Sequence, residues 1–468
     1  MEKEKTAGQK LAEELLYTPK PVQDVHREVS AKAMEFCEGY KLFLDNGKTE
    51  RDVVKYSEKL LLEKGYVPFV PGTKYAAGTK VYFINRAKNV IAATIGSQPI
   101  DLGVHLNIAH IDSPRLDLKP MPMYEDSGLA LLKTHYYGGI RKYQWPTMPL
   151  ALHGVLFKAN GEKVELCIGE DEKDPVFCIN DLLPHLAQEQ NTRTLAEGIK
   201  GEELNIVVCA TPIEDEEVKD RIKLYALKLL NEKYGIVEKD FIRAEIEAVP
   251  AHKARDVGFD RALIGAYGHD DRVDAYPALI AEMDVKDPVF TTVCILADKE
   301  ETGSDGVTGM NSDFTFNFLR QLCAGQEGDY ITMIKHSKCL SADVLAAFDP
   351  TFPSAFERLN SVTAGNGIGI AKYTGARGKG GTTDAAAELV AYLVNLLDEN
   401  EVVWQLGELG RVDLGGGGTV AKFVANHDID TIDIGVPVLS MHSPFELVHK
   451  NDVYMAYEAF AAFNNSAK

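Results

Sequence analysis

Apolar positions recur at helical spacing in "VSAKAMEFCEGYKLFLDNG", residues 29–47, where Ala33, Phe36, Cys37, Tyr40 and Phe43 share a face and Asn-Gly ends the run. The spacing predicts one helix there and a second over "ERDVVKYSEKLLLEKG", stopping at Gly65. The period then shortens. "KVYFINRAKNVIAATIG" predicts two strands around a polar turn, and "DLGVHLNIAHID" alternates as a strand that ends near His110. Between about Pro120 and Glu245 the character changes: "HGVLFKANGEKVELCIG" carries a hairpin signal at Asn160-Gly161, followed by helical segments and the strand "ELNIVVCA". From about Ala251 the alternation resumes. "VFTTVCILAD", "DYITMIKHSKCLSAD", "GIGIAKYTG" and "VPVLSMHS" read as strands, and "TDAAAELVAYLVNLLDEN" as a helix between them.

Apolar strand runs interleaved with helices predict an α/β fold, a mixed sheet sandwiched by helices on both faces. With 468 residues the chain exceeds one ordinary core. The reading is a discontinuous domain, 1–119 plus 246–468, interrupted by a smaller β-rich insertion over 120–245. There is no internal repeat, and "LGGGGT" at 414–419 is too short for a linker and reads as a structural turn.

Charge narrows the partners. A formal net charge of -20 argues against a nucleic-acid backbone or an anionic membrane surface. No stretch reaches the roughly 18 apolar residues of a membrane span. The N-terminal "MEKEKTAGQKLAEELLY" lacks the apolar core of a secretory signal, so a cytoplasmic protein is expected. The seven cysteines form no C-x-x-C pair, and several lie in apolar runs as reduced core thiols.

Acids and imidazoles recur where strands end: His110 and Asp112 in "AHIDSP", Asp270 and Asp271 in "GHDDRVDAY", Glu300 and Glu301 after "CILADK", Asp343 in "LSADV", His442 in "LSMHSPFE". In open α/β sheets the working site lies beyond the carboxyl ends of strands, where such residues can converge. Singly, each has an ordinary explanation. A strand-end histidine is more often a loop or core residue, the Asp-Asp pair reads equally as the start of a helix, and adjacent glutamates as a solvated loop. Together, two histidines and three or four carboxylates suit one or two zinc ions. Asp112, two residues after His110, shares its face of the strand and can support it. Adjacent glutamates make chemical sense when one holds metal and the other moves a proton. "GARGKGGTTD" lacks phosphate-loop spacing, because Tyr373 stands where the first glycine belongs. There is no H-E-x-x-H and no G-x-S-x-G.

The ordered blocks "HIDSPRLDLKP", "GHDDRVDAY", "DKEETGSDGVTGM", "SADV" and "MHSPFE" resemble those of the aspartyl aminopeptidase / aminopeptidase I family of dinuclear zinc metallopeptidases, nearly end to end. The resemblance implies an exopeptidase that hydrolyses the N-terminal residue from peptides with a free N-terminus. It implies two zinc ions per subunit, with cobalt or manganese as substitutes: His110 and Asp343 on one, Glu301 and His442 on the other, Asp270 bridging. Glu300 becomes the general base and Asp112 the residue that supports His110. It also implies that the insertion is a dimerisation domain, that dimers assemble into a dodecamer, that His185 in "LLPHLA" reaches a neighbouring subunit's site, and that Lys372 in "IAKYTG" lies near substrate. From the residues alone His185 reads first as a packing or capping side chain. The "GARGKGG" that follows Lys372 departs from the animal branch of the family. A related dizinc deacylase or carboxypeptidase-like amidohydrolase is the alternative enzyme, and a non-catalytic scaffold the alternative of another class.

Overall fold

Four parallel strands form the middle of a nine-stranded sheet in the computed structural model, which describes residues 5–468. Thr291–Ala297, Val104–His110, Lys338–Ala342 and Asp430–Gly435 lie side by side in that order. Antiparallel strands flank them, Asn89–Thr94 and Lys80–Asn85 on one side and Ile368–Ala371 on the other. The sheet is therefore mixed, as expected, and its four parallel carboxyl ends point the same way.

Alternation along these strands builds two cores. Val293, Ile295 and Ala297 pack with Phe316, Leu319, Met333 and Val424, whereas Cys294 and Leu296 pack with Cys37, Tyr40, Leu279, Leu389 and Phe460. Helices consequently cover both faces. Val29–Asn46, His269–Asp284, Ala387–Glu399 and Lys450–Asn464 lie on one, and Phe314–Gly325 and Tyr330–His336 on the other. The last of these corrects an expectation, since "DYITMIKHSKCLSAD" is a helix over Tyr330–His336 and a strand only over Lys338–Ala342. Its β-branched residues favour a strand, but Asp329 accepts a hydrogen bond from the Thr332 amide at 2.9 Å and caps a short helix.

A second, seven-stranded antiparallel sheet runs from Arg115–Asp126 to Ala244–Pro250. The boundaries expected at 119/120 and 245/246 thus fall inside its first and last strands. Its own core gathers Leu116, Leu152, Leu156, Ile206 and Ile246 under the helix Arg221–Tyr234. A small third sheet was not expected as a sheet, although its strand Pro437–Leu439 lies in "VPVLSMHS". It pairs Leu263–Ala266 with Glu446–His449 and Pro437–Leu439 with Leu345–Ala346. All seven cysteines are free, and among the described residues no helix is long and apolar enough to cross a membrane.

Candidate functional site

Three ends of the parallel strands deliver site residues directly. His110 closes its strand, Glu300 and Glu301 follow Thr291–Ala297, and Asp343 follows Lys338–Ala342. The third sheet delivers the rest: Asp270 follows Leu263–Ala266, and His442 sits in the loop between Pro437–Leu439 and Glu446–His449. A left-handed Lys299 and Gly303 bracket the single turn that carries the two glutamates, and the Gly303 amide closes it on the Glu300 carbonyl at 2.9 Å. That turn is the reason adjacent acids point apart.

The geometry divides around Asp270. Its Oδ1 lies 3.0 Å from His110 Nε2 and its Oδ2 lies 3.2 Å from His442 Nε2, one carboxylate oxygen for each imidazole. Asp343 and Glu300 stand 3.9 and 4.0 Å from His110 Nε2, while Glu301 Oε1 is 3.4 Å from His442 Nε2. Two overlapping donor sets result, His110–Asp270–Glu301 and His110–Glu300–Asp343. Asp112 lies beneath them. Its carboxylate accepts from the Glu300 amide at 3.1 Å and the Glu301 amide at 3.3 Å, and its carbonyl faces His110 Nδ1 at 2.9 Å.

These residues fit a zinc centre. A carbonyl can only accept, so His110 Nδ1, against the Asp112 carbonyl, and His442 Nδ1, against the Gly139 carbonyl at 2.9 Å, each carry a proton. Nε2 of each ring faces carboxylate oxygens, an arrangement met by a second proton on the ring or by a cation bound between them. Ligands about 2.0–2.2 Å from a tetrahedral zinc stand roughly 3.3–3.6 Å apart, close to the separations seen around Asp270. Glu301 Oε1 is buried with no hydrogen-bond partner, which leaves it for a metal.

Electrostatics agree. Burial, with the neighbouring acids adding to it, pushes Glu301 and Asp343 well above the usual carboxylate range and Glu300 up to about 7. Burial disfavours charge on the imidazoles, but the hydrogen bonds they donate to carboxylates outweigh it, and His442 rises to about 11. Without an added cation the cluster holds too much negative charge and must keep protons.

A cleft of about 540 Å³ opens over the cluster, lined by Glu300, Asp343, His442, Tyr373, Lys422 and the Gly416–Gly418 run among others. The glycine run that read as a structural turn therefore reaches the site. At Gly416, φ is +104° and a Cβ would meet the Gly375 carbonyl, so only glycine lets the two loops close on each other. The structure brings together His110, Asp112, Asp270, Glu300, Glu301, Asp343 and His442. It does not bring His185 or Lys372 into the cleft of the same chain: His185 lies on an exposed loop, and exposed Lys372 stands between the lining residues Ala371 and Tyr373. Glu446 escaped the sequence reading. Its two oxygens accept from the His442 amide at 2.7 Å and the Asp270 amide at 3.2 Å, tying both residues to the third sheet. Its place four residues after His442 in "HSPFE" was the available signal.

Comparison with known proteins agrees with this chemistry. Residues 43–464 match the family model described as aminopeptidase I zinc metalloprotease (M18). A probable M18 family aminopeptidase 1 of Clostridium acetobutylicum is 46% identical over 439 residues, 91% of this chain and 94% of that protein. The crystal structure of an M18 family aminopeptidase from Thermotoga maritima superposes with a TM-score of 0.92 at 43% identity, covering 96% of this chain and 100% of that one. The mApe1 dodecamer of S. cerevisiae shares the fold at 22% identity, with a TM-score of 0.74 over 94% of this chain and 97% of that one. The chain therefore belongs to the aminopeptidase I zinc metalloprotease (M18) family, and it is a hydrolase that removes N-terminal residues from peptides.

Proposed function

We propose that the site holds two zinc ions per subunit, His110 and Asp343 holding one, Glu301 and His442 the other, with Asp270 shared, and that Glu300 is the general base. The observation that carries this reading is the split of Asp270, one oxygen toward each imidazole. A carboxylate so placed can relieve the repulsion between two cations. When bound, zinc supplies Lewis acidity for the scissile carbonyl and lowers the pKa of water. Glu300 reaches the floor of the cleft with its side chain 16% exposed, where it takes the proton of the attacking water and returns it to the leaving amine. Asp112 fixes both glutamates by accepting from their amides.

Zinc content distinguishes the two acids. Glu300→Gln is expected to keep its zinc and lose about 10²- to 10⁴-fold in kcat, whereas Glu301→Gln loses zinc as well. Glu300 lies within ligand distance of His110 and Asp343, so equal zinc loss in both purified variants would make it a ligand and end its role as the base.

The second sheet is read as a dimerisation domain and the assembly as a dodecamer, supported by the yeast relative of the same fold. Leu182, Leu183 and Leu186 are exposed around His185, an apolar loop suited to cover by a neighbouring subunit, whose site His185 would then enter. Mixing Glu300→Ala with His185→Ala subunits should restore part of the activity each lacks alone. No recovery in oligomers shown to be mixed would remove the shared site.

A further inference from the structure

Strand Leu129–Tyr137 of the second sheet ends in the turn Tyr137-Gly138-Gly139, and this turn touches both halves of the metal centre. On one side the Tyr137 hydroxyl donates to Asp112 Oδ2 at 2.7 Å. Asp112 is the carboxylate that receives the Glu300 and Glu301 amides, so the phenol acts on the two glutamates through one shared acceptor. The ring itself is held, because the Arg115 guanidinium stacks 3.9 Å from its centroid while binding Glu50, Asp117 and Glu247. On the other side the Gly139 carbonyl accepts from His442 Nδ1 at 2.9 Å, which sets the tautomer that leaves Nε2 free to bind metal. The approach is close. A Cβ on Gly139 would lie 3.1 Å from His442 Nδ1, and one on Gly138 would lie 3.3 Å from the Glu301 Cβ.

We propose that the Tyr137–Gly139 turn is a positioning element for catalysis, with Tyr137 setting the catalytic glutamates through Asp112 and Gly139 setting His442. The second sheet then has a role inside its own subunit's active site, distinct from any part it plays between subunits. A long antiparallel strand anchored by an ion cluster is a stiffer support than a surface loop, and general-base chemistry is sensitive to displacements of about 1 Å. The inference rests on the roles assigned above to Glu300 and the metal ligands.

Two variants test it, with zinc affinity read separately from activity. Tyr137→Phe keeps the ring on Arg115 and removes only the hydroxyl. Its kcat is expected to fall about 10- to 100-fold, with KM changed less than about twofold and zinc stoichiometry and melting temperature kept. Tyr136→Phe, altering the exposed neighbour, serves as the control and should match the parent enzyme. Gly139→Ala should weaken zinc by about 10- to 100-fold in competition with a chromophoric chelator, before any substrate is added. Parent-like kcat in Tyr137→Phe together with parent-like zinc affinity in Gly139→Ala overturns the proposal. So does a kcat loss in Tyr137→Phe that merely follows a lowered melting temperature. A fully active Glu300→Gln enzyme would instead sink the proton-transfer reading and leave the zinc measurement on Gly139→Ala standing as a test of the turn.

Discussion

Five residues apart in "HIDSPR", His110 and Arg115 belong to two buried charge clusters of opposite design. Arg115 lies where the second sheet meets the catalytic sheet. There, it and Lys88 face Glu50 and Glu247 at 2.9–3.3 Å. Burial disfavours charge on Glu50, yet Arg115 and Lys88 outweigh it and hold that carboxyl well below its usual range. Burial raises Glu247 above its own range, with Arg115 opposing it, and both cations of this cluster are the protein's own. Around His110 the protein supplies carboxylates and imidazoles but, among the described residues, no lysine or arginine paired with them. A cluster that brings its own cations joins two sheets; one that lacks them must recruit a cation, and its chemistry comes with it.

Metal removal breaks this comparison most severely. Exhaustive chelation should abolish hydrolysis, re-added zinc should restore it, and the melting temperature at neutral pH should fall as the site reverts to unpaired buried acids. Undiminished activity in enzyme shown to be free of metal would falsify the distinction between the clusters. Lys88→Met attacks the other side. It leaves Glu50 buried with Arg115 alone and should cost about 3 kcal/mol in urea unfolding, while zinc bound per folded subunit stays the same. Zinc loss in that variant would mean that the two clusters are one energetic unit.

The smallest effect comes from a third contact between the sheets. His153, on strand Leu150–Phe157, places Nδ1 2.8 Å from Asp52 on helix Glu50–Glu63 and Nε2 3.1 Å from Glu170, which also binds Lys253. Burial lowers its pKa, but its hydrogen bonds to Asp52, Cys167 and Glu170 outweigh that and raise it to about 11. A histidine raised on folding stabilises fully below its unfolded pKa of about 6.5 and loses that contribution as pH climbs toward the folded value. The stability gap between the parent and His153→Gln should therefore narrow between pH 7 and 8, by at most about 1.4 kcal/mol. Parallel pH–stability curves for the two proteins would show that His153 is neutral in the folded state.

Much of the fold was legible because its strands and helices carry their own signals. The helix at 29–46, the hairpin around Asn160-Gly161 and the strands into His110 and Ala297 follow from spacing and turn residues alone. Tyr330–His336 misled because β-branched residues in so short a segment read alike in either state; the structure shows a seven-residue helix capped by Asp329. Site residues were legible as types at strand ends, and resemblance of the ordered blocks to a known family supplied the roles proposed for them.

Local pattern determined the α/β class, the interruption by a β-rich segment, and the acids and imidazoles that a zinc chemistry needs. The pairings of the third sheet, by contrast, join residues such as Ala266 and Glu446, far apart in the chain, and periodicity carries no information about such pairs. Tertiary structure alone decided that Asp270 faces both imidazoles, that Glu446 ties Asp270 to His442, and that the Tyr137–Gly139 turn reaches Asp112 and His442. The physical reason is common to all three. Hydrogen-bond geometry is fixed at a few tenths of an ångström between segments 25 to 303 residues apart, and only packing of the finished sheets sets distances on that scale.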